Sequence, residues 1–145
     1  MGTLPPQGVG SGSGGGGSLS TVIVSGEDEA FVTSITYSNV LVVDLQTTID
    51  HVIDIVNTDA VISVQYKIYA SPKVGVSAPI DADDSWFNVL NGTDQTLYDN
   101  DLEKSLPALK KVVEGLSNRF AWLRIQLKSS SGTPTIKMWV RGTNL

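Results

Sequence analysis

The side chains best suited to chemistry are few in this chain of 145 residues. His51 is the only histidine, and there is no cysteine. A Ser-His-Asp triad would have to use His51, but Asp50 and Asp54 lie too close to it in sequence to be its usual orienting partner. No G-x-S-x-G elbow supplies a serine nucleophile. The sequence therefore predicts a protein that is not an enzyme and has no catalytic residues.

Two acidic loops offer the oxygen ligands that Ca²⁺ prefers, but neither has the EF-hand pattern. The zinc sites that use cysteine are excluded by composition, and one histidine is too few for the others. No spacing selects a carboxylate pair for glycoside hydrolysis. We predict no metal and no cofactor, with calcium at an acidic loop as the open alternative. The loops contain Asp81, Asp83 and Asp84, and Asp99, Asn100, Asp101 and Glu103.

Tryptophan and arginine recur together near the C-terminal end of the sequence. Trp122 and Arg124 share the polar-alternate face of one predicted strand, and Trp139 and Arg141 share that of the next. If these strands are neighbours, the four side chains form one patch of a type favoured at protein interfaces. Three alternatives stay open: this side is the core face of one sheet, both faces of these strands are covered, or the tryptophans form a stacking platform for sugars.

Composition excludes several classes of partner. The net charge is −5 and the ten basic residues are scattered, whereas a nucleic-acid site needs clustered Lys and Arg. No apolar run approaches the length of a membrane span. The first seventeen residues have neither a basic nor an apolar region, so we expect no secretory signal. We predict no nucleic-acid partner and no membrane association.

The first 18 residues, MGTLPPQGVGSGSGGGGS, differ in composition from the rest. They have almost no side chains to bury, and we predict a flexible arm that precedes one domain over residues 19–145. The arm is interpreted as a segment that docks on a neighbouring subunit; a plain linker or the remnant of an engineered linker are the alternatives. Its candidate interface residues are Leu4, Pro5, Pro6 and Val9.

From Thr21 onward the apolar residues follow the period of β-strands. The clearest example is 61–70, where Val64, Tyr66 and Ile68 face one way and Gln65 and Lys67 the other. Turn residues separate the strands, notably at 57–59 and 129–134. A long loop is predicted over 71–85. Strands are predicted at 21–26, 31–37, 40–45, 49–56, 61–70, 86–90, 120–127 and 135–141.

One segment follows a helical spacing instead. Within 102–116, the apolar residues Leu109, Val112, Val113 and Leu116 recur at three- and four-residue intervals. A short helix is predicted here, and the alternative is an edge strand made irregular by Pro107. The expected fold is all-β: an antiparallel two-sheet sandwich or jelly roll with at most one short helix.

The stretch from Ile53 to Gly142 resembles small β-sandwich structural proteins of tailed bacteriophages. The resemblance rests on IDIVNTDA before SVQYKIYASP, on the strand SWFNVL, and on the paired ending RFAWLRIQLKSSSGTPTIKMWVRG. Proteins of this type decorate capsids or build tails, and extended terminal arms often anchor them. No functional residue carries over from the resemblance.

We therefore predict a non-enzymatic structural assembly protein. The resemblance implies a virion component, a capsid decoration or cement protein first and a tail or neck component second, assembled in the host cytoplasm. Its partners would be copies of itself and another structural protein, such as a capsid or tail subunit. The alternative is a β-sandwich module that binds carbohydrate or a host surface.

Overall fold

A computed structural model describes residues 21–91, 99–117 and 119–145, with side chains from residue 33 onward. The fold is all-β, with nine strands and a single 3₁₀ turn at Val89–Asn91 among the described residues. None of these residues belongs to a helix that is long and apolar enough to span a bilayer. The strands are β1 (Thr21–Val32), β2 (Ser38–Asp44), β3 (Thr48–Asn57), β4 (Val64–Ser71), β5 (Phe87–Asn88), β6 (Lys104–Leu106), β7 (Lys111–Leu116), β8 (Trp122–Ser129) and β9 (Thr135–Asn144).

The strands form two antiparallel sheets. Sheet A has the order β1-β9-β3-β7, and sheet B has the order β2-β8-β4-β5, with β6 also paired to β4. Successive strands mostly lie in different sheets, so most pairing partners are distant in sequence. Only β4 and β5 are both consecutive and paired.

The core lies between the sheets and is filled by alternate residues of both. Sheet A contributes Ile53 and Ile55 of β3, which alternate along the strand as the sequence predicts. Sheet B contributes the predicted face of β4, together with the alternate apolar residues of β8. The main core residues are Ile53, Ile55, Ile136, Met138 and Val140 from sheet A and Val64, Tyr66, Ile68, Leu123, Ile125 and Leu127 from sheet B.

The predicted strand at 31–37 is wrong over most of its length. The strand β1 continues through Val32, and the next five residues lie outside any strand. The N–H of Thr33 donates to the Pro134 carbonyl at 3.1 Å. The Ser34 hydroxyl donates to the Thr36 carbonyl at 2.9 Å. Such local side-chain bonds compete with sheet pairing, which explains why β-branched residues form a corner here.

The short helix predicted within 102–116 is also wrong, and the alternative of an irregular edge strand is confirmed. Leu109 has a φ of 59°, a left-handed conformation that a right-handed helix excludes. Leu109 and Val113 are exposed, so only Val112 and Leu116 turn toward the core. Val112 and Leu116 are four residues apart, a spacing that places two side chains on one face of a helix but also on one face of a strand. They form the strand β7 at the edge of sheet A.

Candidate functional site

The C-terminal tryptophans and arginines do not form one patch, because β8 and β9 belong to different sheets. Trp122 and Arg124 lie on sheet B, and Trp139 and Arg141 lie on sheet A. The turn between β8 and β9 crosses from one sheet to the other instead of closing a hairpin. Within this turn, Gly132 has a φ of 64°, and its carbonyl accepts a hydrogen bond from the Ser129 hydroxyl at 2.7 Å. The expectation of a joint surface is therefore wrong.

Arg124 is the centre of a small buried cluster on the outside of sheet B. Its guanidinium carbon lies 4.5 Å from the ring centroid of Tyr69 and 4.6 Å from that of Trp86. Nη1 donates to the carbonyl oxygen of Asp81 at 3.2 Å. Arg124 is only 5% exposed and Trp122 is 8% exposed, because the loop between β4 and β5 covers them. The alternative that both faces of this strand are covered is correct for the first half of β8, whereas Gln126 and Lys128 on the same outer face are partly exposed.

Trp139 and Arg141 lie on the outer face of sheet A, next to a buried carboxylate. Asp54 accepts a hydrogen bond from Arg141 Nη1 at 2.8 Å, and Lys111 Nζ lies 3.4 Å from its other oxygen. Both cations also approach the Trp139 ring, at 5.0 and 5.4 Å from its centroid. The cluster neutralises a charge that burial would otherwise make costly. The predicted arm residues Leu4, Pro5, Pro6 and Val9 lie outside the described residues.

The loop of residues 72–80 presents apolar side chains to solvent. Val74 is 80% exposed, and Val76 and Ile80 are also largely exposed. We call this segment the apolar loop. The sequence reasoning missed it as a surface, although the segment 72–80 has three aliphatic residues, two prolines, one glycine and a single charged residue, Lys73, which was a visible signal.

Hydrogen bonds hold the apolar loop in place at its tip and its end. Gln46 Nε2 donates to the Gly75 carbonyl at 2.8 Å, and the Gly75 N–H donates to Gln46 Oε1 at 3.2 Å. The indole N–H of Trp86 donates to the Ile80 carbonyl at 3.0 Å. Lys73 Nζ donates to Asp83 at 2.5 Å. This bond, with the backbone N–H and the side-chain hydroxyl of Ser85, lowers the pKa of Asp83 to about 2.

A cavity of about 450 Å³ opens beside the apolar loop at one end of the sandwich. Three segments form it, and they are joined by backbone hydrogen bonds. The N–H of Leu45 donates to the Ala121 carbonyl at 2.8 Å, and the N–H of Ala121 donates to the Ser71 carbonyl at 2.9 Å. We call it the end cavity. It is lined by Gln46, Pro72, Val74, Arg119, Phe120 and Ala121.

The acidic loops engage their side chains in contacts within the protein. Asp81 accepts a hydrogen bond from Asn39 at 2.7 Å, and Asp101 lies 3.5 Å from Lys67. Glu103 accepts a hydrogen bond from the Tyr37 hydroxyl at 2.9 Å. Across residues 33–91, 99–117 and 119–145, no group of three His, Asp or Glu side chains converges as a metal site would require.

His51 is 1% exposed at the start of β3. Its Nε2 lies 2.7 Å from the Thr48 hydroxyl, and its Nδ1 has no hydrogen-bond partner among the described residues. Burial lowers the pKa of His51, against a smaller opposing effect of the Asp50 carboxylate. The neutral ring is therefore the form that fits this site.

We expect the free energy of unfolding to fall as the pH drops below about 6.5, by up to about 1.4 kcal/mol per pH unit. The pKa of His51 is lower in the folded state, so the unfolded chain takes up the proton first. The free energy of unfolding stops falling from this cause once the pH is below the pKa of His51 in the folded state. Urea unfolding between pH 5 and 8 would measure this. A His51→Gln chain should show a flatter profile, and equal slopes in both proteins would contradict the assignment.

Comparisons with known proteins give only a weak likeness. No family model matches the sequence, and no curated protein is significantly similar to it. A chain in the structure of infectious bursal disease virus, Gx strain, matches with a TM-score of 0.37 and 10% identity, covering 87% of this chain and 31% of that one. A chain of the Gt strain matches with a TM-score of 0.37 and 9% identity, covering 88% and 32%.

The protein thus spans about a third of the length of these virus chains. The likeness is weak and not specific to tailed bacteriophages. It assigns the chain to no family.

Proposed function

We propose that this protein is a non-enzymatic structural assembly protein that joins copies of itself and a second structural protein. The observation that carries the proposal is the apolar loop, whose three aliphatic side chains are exposed on a backbone held by hydrogen bonds. Burying apolar surface contributes about 25 cal/mol per Å². A loop that is already ordered loses little entropy on binding. Both features favour a protein partner.

The edge of sheet A supports the same proposal. In the described sheet, β7 pairs only with β3, so its other side presents backbone donors and acceptors. Val113 on this strand is 56% exposed. An unpaired edge with an exposed valine is a template for pairing with another strand.

The resemblance of residues 53–142 to phage sandwich proteins supports a location in a virus particle, as a capsid decoration or cement protein or as a tail or neck component. The predicted arm suits attachment to a neighbouring subunit. Many identical weak contacts on a symmetric lattice would together hold the protein firmly. Peptides of this chain should then occur in fixed stoichiometry in purified particles.

The carbohydrate-binding alternative needs an exposed aromatic platform. Of the two tryptophans that would form it, Trp122 is buried beneath the loop that covers Arg124. Trp139 is only partly exposed, and Lys111 and Arg141 lie over its ring. The buried position of His51 and the ion pairs of the acidic side chains favour a protein without catalysis.

We expect the purified full-length chain to self-associate. In a Val74→Asp/Val76→Asp chain the dissociation constant should rise roughly tenfold or more, since two charges would be desolvated in the contact. Sedimentation velocity over a range of concentrations measures this directly. Val61→Asp is the matched control, because Val61 is 84% exposed and lies near the opposite end of the sandwich.

A full-length chain that stays monomeric at every concentration and is missing from purified particles would contradict the proposal. Specific binding on a glycan array by such a monomer would instead favour the carbohydrate-binding alternative.

A further inference from the structure

We infer that the end cavity receives the arm segment Leu4–Val9 of a neighbouring copy. The lining of the cavity is the receiving surface, and its mostly apolar character matches the apolar, uncharged segment. That the segment comes from a neighbour rests on the proposed function. The segment is the sequence LPPQGV, followed by glycine and serine up to residue 18.

The cavity has the size and character of a peptide-binding site. A volume of about 450 Å³ lies within the roughly 300–1,000 Å³ of ordinary ligand pockets, which is room for several side chains of a docked segment. Pro72, Val74, Phe120 and Ala121 make most of its lining apolar, and Gln46 and Arg119 add polar groups. The two hydrogen bonds between Gln46 and Gly75 fix one wall, so the site exists before any occupant arrives.

The chemistry of the arm segment matches this lining. Residues 2–18 contain no charged side chain, and Leu4, Pro5, Pro6 and Val9 are their only large apolar residues. Two consecutive prolines restrict the backbone to an extended conformation, which lowers the entropy cost of docking. Apolar grooves with aromatic residues bind such proline-containing segments in other proteins.

The position of β1 makes the contact possible. Its first residue, Thr21, pairs with Thr143, and Thr143 pairs with Ile49. The N–H of Leu145 donates to the Thr47 carbonyl at 3.1 Å, next to Gln46 of the cavity. The chain therefore enters β1 at the same end of the sandwich at which the cavity opens.

The residues between the segment and β1 are long enough to reach a neighbour. Residues 10–20 span at most about 36–40 Å when extended. By strand and sheet spacings, the cavity of the same subunit lies only about 15 Å from Thr21. The remaining length allows the segment to cross to an adjacent copy, where the contact adds to the affinity between subunits.

Disulfide trapping tests this, because the natural chain has no cysteine. A full-length Gly10→Cys chain is mixed with a full-length Val74→Cys chain carrying a size tag, so that a disulfide between the two different chains forms only between copies. We expect this mixed disulfide to form roughly tenfold faster than with a Val61→Cys partner, because docking raises the local concentration of the thiols. Val61 is the matched control, since it is as exposed as Val74.

The decisive control keeps the length of the arm but replaces the apolar side chains of its segment. Adding Leu4→Asp and Val9→Asp to the Gly10→Cys chain should lower the rate to that of the Val61→Cys mixture. An unchanged rate would mean that proximity alone brings the thiols together, and would overturn the inference. So would a Gly10→Cys/Val74→Cys chain that closes only within one subunit.

Sedimentation of the unmodified chain separates this inference from the proposed function. Oligomers without segment-dependent disulfides would overturn only the inference. A monomer at all concentrations, absent from particles, would overturn the proposed function.

Discussion

Replacing Gly142 with alanine is expected to destabilise the protein by about 2 kcal/mol, as overpacking of a closely packed site does. A Cβ at Gly142 would lie 2.7 Å from His51 Cδ2 and 3.1 Å from Thr48 Cβ. His51 is fully buried and hydrogen-bonded to Thr48, so the ring cannot move away without losing that bond. Urea unfolding at pH 7.5, where His51 is neutral, measures the difference.

The chain provides a matched control in Gly115. It also lies in a strand of sheet A, but a Cβ there would meet nothing within 4 Å. We expect Gly115→Ala to change stability by less than about 1 kcal/mol, in the stabilising direction if the loss of chain entropy dominates. In a His51→Ala background, the cost of Gly142→Ala should shrink, since the clashing ring is gone. Equal effects of the two alanines would contradict the steric explanation.

The local β-structure could be predicted because alternation and turn chemistry are local properties. Val64, Tyr66 and Ile68 fill the core as their spacing indicates. The turn after β3 forms because the Asp59 carboxylate accepts hydrogen bonds from the N–H groups of Val61 and Ile62. These bonds also lower the pKa of Asp59.

The pairing of strands could not be predicted in the same way. Consecutive strands pair in roughly two thirds of cases, which made β8 and β9 look like neighbours. In this fold Leu123 pairs with Val43 and Ala70, while Met138 pairs with Ile55. No local feature of the Ser/Gly turn distinguishes a hairpin from a crossing between sheets.

The candidate site was only partly predictable for a related reason. The sequence identifies Trp122 and Arg124 as residues of interest, but not their partners Tyr69 and Trp86. Tyr69 lies directly opposite Arg124 in the pairing of β4 with β8. Trp86 is the last residue of the loop between β4 and β5, so its ring meets Arg124 only when that loop folds back over sheet B. Such a contact depends on tertiary structure, whereas periodicity describes single strands.

Replacing Arg124 with alanine is expected to destabilise the protein by about 2–4 kcal/mol and to lower its Tm by about 10 °C. The guanidinium fills the space between the Tyr69 and Trp86 rings and binds the Asp81 carbonyl. Removing it leaves a void under the loop that covers sheet B. Calorimetry of the full-length chain measures the change, and Arg119→Ala, at an exposed position, is the control.

In the Arg124→Ala chain, the 72–86 loop should open more readily than the whole domain unfolds, because Arg124 joins this loop to the sheet. Lys73 carries the loop's only site for trypsin, and cleavage requires the backbone to open. We expect faster native-state cleavage after Lys73 in the Arg124→Ala chain than in the parent. Arg124→Lys should fall between them, since an ammonium group keeps the charge but cannot stack as a plane between two rings. If Arg124→Lys matches the parent, charge alone would suffice and the stacked geometry would be unimportant.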